Sequence, residues 1–166
     1  MTSTSGRRAV LGGAAARGLV GGLVGAAAMT GSQRLERAVT GRAPSYVPGR
    51  TLLALAGRPI GDQEQPAAAT LVMVVATSAA LGALRGVWRA TGLVFPRADV
   101  AQTLTRVIVD QTLENATGVG APPRTWRTGE GVAEVLHAAV AALATGAVVE
   151  LLVDPVLESR RGTTSH

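Results

Sequence analysis

A chain of 166 residues has room for one domain and little more. It holds 21 Gly but one Phe, one Tyr and two Trp, and its charged fraction is 16%, against roughly 25% in ordinary soluble domains. The absence of Cys excludes disulfides, thiolate chemistry and cysteine-ligated metals, and two His argue against a multi-histidine metal site.

The net charge of +5 is carried by arginines scattered along the chain. No basic stripe with interleaved aromatics is present, so nucleic acid is not an expected partner. A water-soluble core leans on aromatic and large aliphatic side chains. Here Ala, Gly, Val and Leu predominate and the mean hydropathy is positive. That composition suits helices packed closely in lipid.

The first apolar stretch runs from Ala9 to about Gln33, interrupted by Arg17. The Arg7-Arg8 pair before it resembles a twin-arginine export signal, with Ala26-Ala27-Ala28 as a cleavage site. Arg17 and the apolar stretches that follow favour an uncleaved membrane anchor, with Arg7-Arg8 marking a cytoplasmic N-terminus. Gly18 and Gly22, and Gly21 and Gly25, form two overlapping pairs at spacing four. Gly82 and Gly86 form a third in the second stretch. Residues four apart share a helix face, so each pair makes a flat groove for another backbone, within the chain or from a second copy. Beyond Gly31 the pattern turns amphipathic. Gly41, Pro44 and Pro48 then end the helical region. Thr51 to Ala56 reads either as a short interfacial helix or as an ordered loop.

The second stretch, Pro66 to Leu84, carries no charge over a length that can span a bilayer. Arg85 and Arg89 follow it, and Trp88 and Trp126 suit interfacial anchors. The third stretch, Ala98 to Thr117, is polar along one face. Asp99, Thr103, Arg106, Asp110, Glu114 and Thr117 recur at steps of three or four, and Val100, Leu104, Val107 and Ile108 lie largely opposite. The fourth, Gly131 to Val153, offers Glu134 and His137 near one end and Glu150 with Asp154 near the other. A charge at the bilayer centre costs at least about 2.5–3.5 kcal/mol, so such residues turn inward and find partners. Arg106, Asp110, Glu114, Glu134 and His137 form the candidate buried polar cluster. It is either an ion-pair network that docks helices or a relay or cavity for a proton, ion or polar solute. Asp110 is expected against Arg106 or an arginine of a neighbouring helix.

The stretches are too long and too irregular in period for strands, and a helix satisfies its own backbone in hydrocarbon. The expected fold is an all-α integral membrane bundle of about four helices with a polar third helix. It forms a single membrane domain over 1–166, with helices roughly at 8–40, 66–91, 97–117 and 130–153 and a disordered tail at 156–166. No nucleophile elbow, phosphate loop or paired histidines point to an enzyme, and no cofactor is expected.

The Gly18-Leu-Val-Gly-Gly-Leu-Val-Gly-Ala run, the Gly82-Ala-Leu-Arg-Gly86 element, a polar third helix leading into Gly118-Val-Gly-Ala-Pro-Pro123, and Glu134 with His137 form a layout. It resembles that of bacterial inner-membrane proteins of the YagU type. In that family the third helix usually carries a histidine near its end, where this chain reads Asp110-Gln-Thr-Leu-Glu114-Asn. The resemblance implies a four-helix inner-membrane fold and no particular activity. The expected roles are thus a multi-pass membrane protein, structural or accessory, packing through Gly18, Gly21, Gly22, Gly25, Gly82 and Gly86, or a small proton- or ion-coupled transporter. A soluble helical protein released by signal cleavage is the third reading. The bilayer and a second copy of the chain are the expected partners.

Overall fold

Short breaker-rich turns separate long Ala/Leu/Val segments, and each long segment is a helix in the computed structural model, which describes residues 4–121 and 128–157. Among these residues there are five helices and no strand: α1 Thr4–Thr40, α2 Val47–Leu55, α3 Ala67–Ala90, α4 Arg97–Ala116 and α5 Thr128–Leu152. The expected count of about four is therefore one short. The added element is α2, with 9 residues. Pro48, expected as a helix breaker, instead lies in the first turn of α2. A first-turn proline loses no internal hydrogen bond and its fixed φ suits the helix. Trp126 and the tail from 158 onward lie outside the described residues.

α1 has 37 residues and at 1.5 Å per residue is roughly 55 Å long, well beyond a hydrocarbon core of about 30 Å. Gly18 of α1 faces Gly82 and Gly86 of α3, and Gly22 faces Ser78, so the two helices run antiparallel. On another face of α1, Gly21 meets Thr145 and Val149 of α5, and Gly25 meets Ala141 and Thr145. α5 is thus also antiparallel to α1. A methyl group added at Gly18 or Gly22 would overlap α3 backbone, and one at Gly25 would overlap the Thr145 hydroxyl. The glycine faces of α1 are therefore filled from within the chain.

α4 returns from α3 through a turn in which Gly92 takes φ +95, a conformation that suits a residue without Cβ. It packs against α3 and α5 and runs parallel to α1. The four long helices alternate up and down, with α1 and α4 on opposite sides of the α3–α5 pair. Three of them, Ser5–Thr40, Ala67–Ala90 and Gly129–Leu152, are long and apolar enough to cross a membrane.

Charged and polar side chains share the interior with an apolar core, while large apolar side chains line much of the outside. Inside lie Ser78, Arg85, Asp99, Gln102, Arg106, His137 and Thr145 together with Ala, Val and Met. Outside lie Leu19, Val20, Leu23 and Val24 of α1, Leu71 and Val72 of α3, and Val135, Leu136 and Leu143 of α5. On α4, Val100, Leu104 and Ile108 are 59%, 58% and 63% exposed, while Asp99, Gln102 and Arg106 are buried.

Candidate functional site: a charged cavity at one end of the bundle

The alternating helix directions bring the end of α1, the start of α3, the end of α4 and the start of α5 to one end of the molecule. α2 packs against α3 there. Gly49 makes this approach possible, since a Cβ at that position would fall 2.7 Å from the Pro66 carbonyl oxygen. Between these segments lies a cavity of about 260 Å³. Arg106, Asp110, Glu114, Glu134 and His137 all line it. Helix periodicity puts the first three on one face of α4, and the i, i+3 spacing of Glu134 and His137 puts both on one face of α5.

Arg106 is the inner anchor. Its Nε donates to the carboxylate of Asp110 one turn further along α4, and its Nη1 donates to Ser78 Oγ of α3 at 2.8 Å. The guanidinium is buried, and both partners come from the bundle interior, as a desolvated charge requires. Gln111 Nε2 donates to Glu114 Oε2 at 3.3 Å. Glu134 lines the cavity from α5, with no hydrogen bond or ion pair among the described residues.

His137 is buried and held from α1. Ser32 Oγ donates to the Met29 carbonyl at 2.9 Å and lies 2.8 Å from His137 Nδ1. Which of the two groups donates in that contact is set by the ring's tautomer. His137 Nε2 faces Glu36 Oε2 at 3.9 Å. Glu36 in turn lies 3.9 Å from Arg42 in the turn after α1. Ser32, Glu36 and Ser78 were not among the expected cluster. The amphipathic end of α1 signals Glu36, whereas a serine on an apolar helix carries no pattern that distinguishes it from a packing residue.

A second charged group lies at the opposite end. Arg85 Nη2 of α3 donates to Asp99 Oδ2 of α4 at 2.9 Å and lies 3.7 Å from Glu150 Oε1 of α5. Glu150 also accepts from the Phe95 backbone N–H at 3.1 Å, and Arg89 Nε donates to the Val153 carbonyl at 3.1 Å. Gly146 leaves the space for this pair, since a Cβ there would stand 2.6 Å from Asp99 Oδ1 and 2.7 Å from Arg85 Nη2. The turn at Gly92–Pro96 was the available signal, because an antiparallel hairpin sets the residues flanking it level. Asp154, expected beside Glu150, is exposed and takes no part in this group.

No group of three or more His, Cys, Asp or Glu among the described residues is placed to hold a metal ion. No family model matches this chain, and no curated protein or solved structure matches it.

Proposed function

We propose that this chain is a multi-pass protein of the bacterial inner membrane, in which α1, α3, α4 and α5 all span and α2 covers one end. The observation that carries the reading is α4. It turns Asp99, Gln102 and Arg106 inward and Val100, Leu104 and Ile108 outward. In water this orientation would bury charge and expose hydrocarbon at once. In lipid it does neither, because the outer face meets acyl chains and the inner face meets Ser78, Arg85 and its own partners. Arg17 is exposed on α1 beside Gly18, which packs near the end of α3, so its head reaches the headgroup region by extending along the helix.

The role that follows is structural or accessory, with no enzymatic step and no cofactor. The bundle is self-sufficient in its small-residue packing, so association with a second copy would use other surfaces. Carbonate washing of membranes followed by intact-mass measurement tests the reading. It requires full-length protein in the pellet, and a soluble, shortened chain would overturn it.

The cavity of about 260 Å³ favours a second reading, passage of a proton, ion or small solute. A structural ion-pair network needs no such space. Flux into liposomes holding purified protein tests it, with Asp110→Asn as the variant that keeps the shape and removes the charge.

A further inference from the structure

We propose that the cavity between the end of α4 and the start of α5 binds a primary ammonium group on a short alkyl body, with Glu114 and Glu134 as its counter-charges. The proposal deepens the second reading above by naming the solute class, but it requires binding alone.

Charge comes first. The cavity is lined by five carboxylates and three guanidinium groups. Arg106 is committed to Asp110 and Ser78, Arg42 stands beside Glu36, and Arg37, the third, leaves the lining two negative charges in excess. Glu114 receives only the neutral amide of Gln111, and Glu134 receives no hydrogen bond among the described residues. Carboxylates held in a half-buried cavity call for a positive partner.

An independent observation comes from α2. Thr51 is 1% exposed and lines the same cavity, and its Oγ1 has no hydrogen-bond partner among the described residues. Buried hydroxyls are nearly always satisfied, so an unpartnered one on a residue of the cavity wall marks a missing partner. A ligand that brings several N–H donors suits this set. An ammonium carries three donors and no acceptor, while ionised carboxylates only accept. A bare metal ion suits it poorly, because the described residues place no group of three ligands for one. Met29, Met73 and Val74 supply an apolar wall for the alkyl body.

The same ammonium chemistry occurs in free amines and in ethanolamine lipid headgroups, and the experiment separates them. Full-length protein in detergent is titrated with n-butylammonium chloride by calorimetry, with n-butanol as the uncharged control. The expected result is saturable one-to-one binding of the amine and none of the alcohol. Glu134→Gln should weaken binding at least tenfold and Thr51→Val severalfold. Should Glu134→Gln fail to elute as a folded species, Glu114→Gln carries the same tenfold expectation. Equal binding of butanol, or wild-type affinity in the folded variants, overturns the proposal. In nanodiscs, loss of amine binding in phosphatidylethanolamine relative to phosphatidylcholine identifies the lipid headgroup as occupant, and equal binding in both identifies a free amine. Binding without flux would overturn passage while leaving the site standing, and flux without binding would do the reverse.

Discussion

Arg85 of α3 and Asp99 of α4 pair at 2.9 Å with the arginine 1% exposed, directly beside a glycine of α5 that leaves them room. Two of the bundle's helices are thereby pinned by charge where a soluble bundle would use leucines. Removing one member strands the other in a dry interior, which costs about 3–5 kcal/mol, while replacing both by apolar groups is close to neutral. Arg85→Leu alone should therefore sharply lower the folded fraction in detergent, and Arg85→Leu with Asp99→Leu should regain most of it. Size-exclusion yield and denaturation midpoints on the three variants check this.

The glycine faces of α1 give a second expectation. Gly22 lies against backbone of α3 that cannot give way, whereas Gly12 has open space around it. Overpacking a tight seam costs about 1–3 kcal/mol or more. Gly22→Val should depress the melting temperature clearly, and Gly12→Val should leave it within experimental scatter. Equal effects would mean that α1 and α3 do not meet at Gly22.

Helix boundaries were legible in the sequence because glycine and proline mark them. Expected and observed ends differ by four residues at the start of α1 and by one or two at the other long helices. The polar face of α4 was legible because steps of three and four need no knowledge of neighbours. Pairing was not, because it depends on the register between helices. Arg106 with Ser78 and Ser32 with His137 are contacts between different helices that no local pattern announces, whereas Arg85 with Asp99 lies across the hairpin turn at Gly92–Pro96. α2 was legible in part: Thr51 to Ala56 reads either as a short helix or as a loop, and the start at Val47 was hidden because Pro48 reads as a breaker out of context.

Arg106 and Asp110 give a third expectation. Asp110→Ala leaves the buried guanidinium with Ser78 alone, so folded yield should fall. Asp110→Ala with Arg106→Ala should recover part of the loss. Under the passage reading Asp110→Asn, nearly the same shape, should instead keep the fold and abolish flux. Three variants that all melt with the wild type would place Asp110 in water.

Orientation gives a fourth. All four long helices span in the proposed arrangement, so both termini share a side; the loop arginines are evenly divided, and we propose a cytoplasmic N-terminus because Arg7-Arg8 directly precedes the first helix. The cavity then opens away from the cytoplasm, at the α2 end. A reporter fused after His166 should be active only in its cytoplasmic form. Activity of the external form alone would reverse the assignment and turn the cavity inward.

The lipid-facing side of α4 is the central claim, and the chain's lack of cysteine allows a direct measurement. Single cysteines at Leu104 and at Gln102 are spin-labelled in reconstituted membranes, and relaxation is compared with dissolved oxygen and with a water-soluble nickel chelate. The account predicts that the label at 104 collides strongly with oxygen and scarcely with nickel, and that the label at 102 is shielded from both. A label at 104 that favours nickel over oxygen would put that face in water and contradict the account.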